Sequence, residues 1–137
     1  MNKFFLDTAY AIALSAVTDQ YHQKAEILSS QIEKEAIPLI TTRAVILEIG
    51  NALAKLRYRA AAIELLGSLE EDPNVEIIPL SEELYSQAME LYRQRPDKEW
   101  GITDCISFVV MQDYGVTDAL TTDEYFNQAG FKALLIE

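Results

Sequence analysis

Short apolar runs alternate with longer amphipathic segments along this chain. Each apolar run has a turn-prone or polar flank, which is typical of buried parallel strands. We predict strands over residues 4–7, 38–41, 75–79, 119–122 and 133–136.

The segments between these runs have the periodicity of helices, because their apolar residues recur every three or four positions. Ser81 is a suitable N-cap, and Gly115 is suited to the C′ position that ends a helix. Residues 102–114 are apolar almost all round, so this helix should be central and buried. We predict helices over residues 20–35, 43–58, 60–71, 81–95 and 102–114.

Strands that alternate with helices imply a parallel sheet with helices on both faces. The length of 137 residues suits one domain with a substantial core, and no repeat, low-complexity segment or linker divides it. We therefore predict a single α/β domain over residues 1–137. Its expected architecture is a three-layer α/β/α sandwich around a parallel sheet of four or five strands.

The net charge of −11 argues at first against a nucleic-acid partner, because phosphate binding normally needs a basic surface. The basic residues are nevertheless grouped, and one group lies within residues 43–59. Lys55 and Arg57 in this group are candidate nucleic-acid contacts. They are also suited to solvating a helix end or contacting a protein partner.

The chain has one cysteine, Cys105, which excludes an internal disulfide and suits a reducing compartment. Asp7 comes too early for the apolar region of a signal peptide, and no apolar run approaches the roughly 18 residues of a membrane span. We expect a soluble cytoplasmic protein with no membrane association.

Four acidic residues stand out as candidates for chemistry. Asp7 and Asp123 end the first and fourth predicted strands, and ligands of open α/β sheets collect at such carboxyl ends. Glu48 and Asp104 lie in apolar stretches of predicted helices, where an unpaired carboxylate would be costly. If the first and fourth strands are neighbours, the four acids indicate a site for a hard cation. Oxygen ligands suit Mg²⁺ or Mn²⁺, and there is no Cys/His cluster for zinc.

Each acid also has a structural alternative. Asp7 and Asp123 are suited to cap following helices, and Asp104 suits a first helical turn. Glu48 can pair with a basic residue of its own predicted helix. Taken singly these roles are the more common ones. Taken together they require four coincidences at one crevice.

Other reactive side chains offer less. There is no Ser-His-Asp set, and the one histidine, His22, is far from the acids and suits the surface of a helix. Cys105 suits packing better than nucleophilic chemistry. Trp100 either borders a substrate groove or anchors a loop.

Four segments around the acids contain recognisable motifs in a definite order. They are Leu6-Asp7-Thr8, Glu48-Ile-Gly-Asn51-Ala-Leu, Ile102-Thr-Asp104-Cys-Ile-Ser and Leu120-Thr-Thr-Asp123-Glu-Tyr-Phe-Asn-Gln-Ala-Gly-Phe131. In this order and spacing they resemble the motifs of PIN-domain proteins, in particular the VapC-like toxin ribonucleases. The resemblance covers essentially the whole chain.

This resemblance implies an α/β/α sandwich that cleaves RNA endonucleolytically with Mg²⁺ or Mn²⁺. It also implies homodimerisation and inhibition by a small cognate antitoxin protein. The acidic quartet of the family corresponds to Asp7, Glu48, Asp104 and Asp123. Thr8 and Thr122 match positions at which a hydroxyl supports the site, and Asn51 matches a polar neighbour of the helical glutamate.

Rival families of phosphoryl-transfer enzymes fit the residues less well. Haloacid-dehalogenase-type phosphatases need a second aspartate two residues after the first, where this chain has Ala9. Response-regulator receivers need paired acids and a lysine after a late strand, which this pattern does not supply. The alternative from another functional class is an inactive PIN-like module that binds RNA or protein, because a fold does not guarantee an activity.

Overall fold

The computed structural model describes residues 2–136. Within that range the chain forms five strands: β1 (Phe4–Leu6), β2 (Leu39–Thr42), β3 (Val75–Ile78), β4 (Asp118–Leu120) and β5 (Lys132–Ala133). It also forms seven helices: α1 (Thr8–Ser15), α2 (His22–Glu35), α3 (Arg43–Ala52), α4 (Leu56–Glu71), α5 (Glu82–Gln94), α6 (Ile102–Asp113) and α7 (Glu124–Gln128).

The strands form one parallel sheet in the order β3-β2-β1-β4-β5. From β1 the chain moves outward to β2 and β3, and then crosses to the other side of β1 to form β4 and β5. The topological switch therefore lies between β1 and β4, where Leu6 pairs with Leu120. A crevice opens at the carboxyl ends of such strands. The first and fourth predicted strands are neighbours, so the condition for a shared acidic crevice is met.

The helices form two groups that cover the sheet. Helix α1 packs against α2 and α4, and α6 packs against α5 and α7. Helix α3 contacts both α1 and α6. This arrangement is the predicted α/β/α sandwich with a parallel sheet of five strands. Among residues 2–136, no helix is both long enough and apolar enough to cross a membrane.

An aromatic cluster joins helices α6 and α7. Phe108 of α6 meets the rings of Trp100 and Phe126 edge-on, with centroids 5.0 Å apart in both pairs. Burying such a side chain stabilises the fold by about 1.5–3 kcal/mol, and an edge-to-face pair adds about 0.5–1.5 kcal/mol. The cluster therefore fixes α6 relative to α7. Asp104 lies in α6, and Asp123 directly precedes α7.

The predicted helices miss α1 and the five-residue α7. None of the eight residues of α1 is exposed, so the segment has no polar face to reveal helical periodicity. The division between α3 and α4 is also displaced from the predicted one after residue 58. Helix α3 ends at Ala52 and α4 begins at Leu56. The break turns Leu53 inward and leaves Leu56 exposed. The sequence does not reveal this break, because the apolar spacing continues through it.

Candidate active site

Asp7 follows β1 directly and is the N-cap residue of α1. Only 6% of its surface is exposed, and the hydroxyl of Thr121 donates a hydrogen bond of 2.7 Å to Asp7 Oδ2. Burial raises the pKa of Asp7 to about 7, and the charges of Asp104 and Glu48 raise it further, against the hydrogen bonds from Thr121 and the Thr8 backbone. The ionised form of Asp7 is therefore held at a considerable electrostatic cost.

Asp104 is the third residue of α6 and points back to the start of that helix. Its Oδ2 accepts a hydrogen bond of 2.8 Å from the backbone N–H of Gly101. Burial raises the pKa of Asp104 to about 6, the Gly101 bond opposes this rise, and the charges of Asp123 and Glu48 add to it. Asp104 is thus both a first-turn residue and a member of the acidic group.

Glu48 extends from α3 and is exposed, although it lies in an apolar stretch of the sequence, which suggested burial. Its Oε1 accepts a hydrogen bond from the hydroxyl of Thr8, the first residue of α1. Arg43 of the same helix pairs with Glu70 of α4. The structure therefore joins Glu48 to the residue after Asp7 and gives its basic neighbour Arg43 a different partner.

Asp123 caps α7. Its Oδ1 accepts a hydrogen bond of 2.9 Å from the backbone N–H of Tyr125, and its own N–H donates to Thr121 Oγ1 at 3.1 Å. The capping role considered from the sequence is therefore real. It coexists with a charge that acts on Asp104.

Charges from neighbouring acids act on Asp7 and on Asp104. Those of Asp104 and Glu48 raise the pKa of Asp7, and those of Asp123 and Glu48 raise the pKa of Asp104. They lie at the topological switch, where the sequence analysis expected a crevice. Within residues 2–136, no three histidine, cysteine, aspartate or glutamate side chains converge into a ready metal cage.

The donor chemistry of the group nevertheless fits a hard divalent cation. All its ligating atoms would be carboxylate oxygens, and a positive ion would offset the repulsion and burial that raise the pKa values of Asp7 and Asp104. Each of the four acids uses one oxygen as an acceptor for a protein donor in this arrangement.

Thr121 is the site residue that the sequence analysis missed. It is fully buried, donates to Asp7 and accepts from the backbone of Asp123. Adjacent residues of an extended chain point in opposite directions, so only the pairing of β1 with β4 decides which threonine of the Thr121-Thr122 pair faces Asp7. The only sequence signal was a pair of hydroxyls at the end of a strand.

The remaining supporting residues occupy less decisive places. Thr8 touches the site through Glu48. Thr122 is half-buried, and Asn51 is exposed near the end of α3. Their supporting roles stay predictions.

The basic group lies around the start of α4. Lys55 precedes this helix and is exposed. Arg57 is also exposed, and its guanidinium lies 4.9 Å from the centroid of the Tyr58 ring. Contact of Lys55 and Arg57 with RNA stays a prediction.

Trp100 is buried and holds the segment before Asp104 in place. Its Nε1 donates a hydrogen bond of 3.0 Å to Gln128 Oε1, and the guanidinium of Arg95 lies 5.3 Å from its ring centroid. These contacts support the loop anchor among the two roles considered for Trp100. Cys105 is buried, and burial raises the pKa of its thiol, which disfavours a nucleophilic role.

Comparison with known proteins agrees with this geometry. The PIN domain family matches residues 4–132. The chain is similar to the crystal structure of Mycobacterium tuberculosis VapC20, a toxin that cleaves the sarcin–ricin loop, with a TM-score of 0.82 and 25% identity over 94% of this chain and 96% of that one. It shares its fold with FitAcB from Neisseria gonorrhoeae, with a TM-score of 0.62 and 20% identity over 95% of each chain.

No curated protein sequence matches the chain. The family match covers nearly the whole length, and the fold and the order of the acidic motifs agree with it. PIN-domain proteins are generally nucleases that use divalent metals. The chain belongs to the PIN domain family.

Proposed function

We propose that this protein is a metal-dependent endoribonuclease that hydrolyses RNA phosphodiester bonds. The observation that carries the proposal is the grouping of acids at the switch point of the sheet, where the charges of Asp104 and Glu48 act on Asp7 and those of Glu48 and Asp123 act on Asp104. A helix cap needs one acid with one backbone donor, whereas four acids grouped at one crevice are better explained by a shared cation. Membership of the PIN domain family supports the same function.

These four carboxylates would hold Mg²⁺ or Mn²⁺. When bound, such a cation supplies a water of lowered pKa and charge stabilisation for the phosphate in an in-line displacement. The chain itself orients the ligands: Thr121 fixes one oxygen of Asp7, and Thr8 fixes one oxygen of Glu48. Asp7 must lose its proton to bind a metal ion as a carboxylate. Because its pKa is about 7, this loss takes place around neutral pH. Metal affinity should therefore rise with pH across neutrality.

RNA cleavage with and without chelator tests the activity. We expect excess EDTA to abolish cleavage and Mg²⁺ or Mn²⁺ to restore it. Asp7→Asn, Asp104→Asn and Asp123→Asn should each reduce the rate by orders of magnitude, because losing a ligand removes transition-state stabilisation. Full activity in excess EDTA would contradict the mechanism.

The alternative function is an inactive PIN-like module that binds RNA or protein. Manganese binding in solution and RNA retention, measured on the same preparation, distinguish the two functions. RNA bound without cleavage at saturating Mn²⁺ would favour the inactive module. Cleavage that depends on Mn²⁺ favours the nuclease.

We further propose that the protein acts as the toxin of a toxin–antitoxin pair in the cytoplasm. The similarity to the VapC20 toxin supports this role. Its partners would be an RNA substrate, a small protein antitoxin and a second copy of the chain. Expression of the wild type should arrest bacterial growth, and expression of Asp7→Asn should not. Equal growth with both proteins would contradict the toxin role while leaving the nuclease activity to be judged by the cleavage assay.

A further inference from the structure

The segment that joins α3 to α4 presents three basic side chains. Lys55, Arg57 and Arg59 are exposed, and within residues 2–136 none of them forms an ion pair with an acid. The other three arginines of the chain each pair with a neighbouring carboxylate. On a chain with a net charge of −11, three such cations in one segment make a local positive surface. We call residues 53–59 the α3–α4 turn.

Arg59 is held in one orientation by the backbone of this turn. Its Nε and Nη2 donate hydrogen bonds of 3.0 Å and 2.7 Å to the carbonyl oxygen of Ala54. These bonds use one edge of the guanidinium and leave its charge and its Nη1 donors for an anion. Because the side chain is already ordered, an anion that binds it causes a smaller loss of side-chain entropy.

Arg57 is ordered by a contact with its neighbour. Its guanidinium lies 4.9 Å from the centroid of the Tyr58 ring, and Tyr58 itself is half-buried against the core. One face of this ring is therefore covered by a cation, so the ring is poorly placed to stack on a nucleobase. The α3–α4 turn thus offers fixed charges that suit phosphates, and its one aromatic ring is engaged within the protein.

The position of these cations is unfavourable for α4 itself. Lys55 is the N-cap residue of α4, Arg57 lies in its first turn, and that turn contains no acid. The backbone dipole is positive at a helix N-terminus, so added cations destabilise the helix unless an anion lies beside them. This arrangement favours a negatively charged ligand.

Exposed residues connect the α3–α4 turn with the candidate active site. Glu48, Asn51 and Ala52 are exposed along α3, and the buried Leu53 then anchors the turn in the core. Glu48 and Ala52 lie about 6 Å apart along the helix axis. Successive phosphates of one helical strand lie about 3.4 Å apart along its axis, so a strand at the acids reaches the turn within a few nucleotides.

We propose that Arg59 is a substrate-positioning residue, which together with Lys55 and Arg57 binds the phosphate backbone of an RNA strand beside the bond that is cleaved. This inference rests on the proposed function, which supplies the RNA. Contacts to phosphates add affinity and fix the strand without reading its bases. An acidic protein would meet the same charges, but a strand lying in the crevice also accounts for their position next to Glu48.

RNA binding in EDTA separates this contact from catalysis. Fluorescence anisotropy of two labelled single-stranded RNA oligonucleotides of different sequence, titrated with salt, gives the affinity and its salt slope. Arg59→Gln should weaken the binding of both about threefold to tenfold and lower the slope by about 0.7–1. Arg59→Lys keeps the charge and should retain the slope.

Lys34→Gln is the matched control. It removes one positive charge from an exposed residue in the last turn of α2, near the amino end of β2 and away from the crevice. This variant should change neither the affinity nor the slope. In cleavage with Mn²⁺, Arg59→Gln should raise KM more than it lowers kcat, because a contact away from the reacting bond stabilises bound substrate and transition state alike.

An unchanged salt slope in Arg59→Gln would overturn the proposal, even with a lower urea midpoint, because only the bonds to Ala54 would then explain the residue. Intact RNA binding together with lost binding of poly-L-glutamate would assign the turn to an acidic protein partner and would also overturn it. If the wild type cleaves RNA and Arg59→Gln has the same KM, this inference fails alone. If the wild type does not cleave RNA, the proposed function fails, and the salt slope still decides whether the turn binds RNA.

Discussion

Replacing Asp7 by asparagine measures the electrostatic cost of the site in the metal-free protein. The pKa of Asp7 rises from 3.8 to about 7, first through burial and then through the charges of Asp104 and Glu48. Each tenfold change in proton affinity is worth about 1.4 kcal/mol, so this rise corresponds to about 4 kcal/mol. Asparagine has nearly the same shape as aspartate and keeps an oxygen that can accept the hydrogen bond from the Thr121 hydroxyl. The variant should therefore be the more stable protein at neutral and alkaline pH.

The sign of the pH dependence follows from proton linkage. The unfolded chain loses the Asp7 proton near pH 3.8, and the folded chain keeps it until about pH 7. Between these values the folded state binds more protons, so the stability of the wild type falls as pH rises. The advantage of Asp7→Asn should be small near pH 4, should grow by about 1.4 kcal/mol per pH unit, and should reach about 4 kcal/mol above pH 7.

Urea unfolding in EDTA at several values from about pH 5 to about pH 8 measures this difference. Asp113→Asn is the control, because Asp113 is an exposed acid at the end of α6 and should show little gain. Adding Mg²⁺ or Mn²⁺ should stabilise the wild type through ligand binding and the variant much less. A variant less stable than wild type at about pH 8, with no metal effect on the wild type, would identify Asp7 as an ordinary helix cap.

Two further sets of substitutions test Thr121 and the basic group. Thr121→Val should destabilise the protein by about 1–3 kcal/mol, because it leaves Asp7 and the Asp123 backbone N–H without their shared partner. Thr121→Ser keeps the hydroxyl and should not destabilise it. Equal urea midpoints for the two variants would refute the positioning role of Thr121. Replacing Lys55 and Arg57 by alanine should weaken RNA binding and lower its salt slope by up to about 2. An unchanged slope in a filter-binding titration would exclude both residues as phosphate contacts.

The order of secondary structure and the acidic motifs were accessible from the sequence because they are local patterns. Each predicted strand is a short, mostly apolar run, and each overlaps an observed strand, although the prediction over residues 133–136 meets β5 only at Ala133. Four of the helices present a recognisable apolar stripe. The C′ position of Gly115 was also predictable, and its φ of +66° lies in the left-handed region that favours glycine. The sandwich with a parallel sheet and the PIN family were confirmed on this basis.

The acids were recognisable individually because their neighbours are apolar or end a strand. Whether they act together depends on strand order, which no local pattern specifies. Placing β4 beside β1 rather than at an edge brings Asp123 to the crevice that holds Asp7. The charge of Glu48 reaches the same crevice from an exposed position, which its apolar sequence neighbours did not suggest.

Tertiary structure alone decided three features. Helix α1 has no exposed residue, so its sequence lacks the polar face by which a helix is recognised. The break before Leu56 depends on which leucine finds a place in the core. The choice of Thr121 over its neighbour depends on strand register, because a shift of one residue reverses the direction of every side chain. Sequence thus determined which residues carry the chemistry, and packing and register determined which side chains meet.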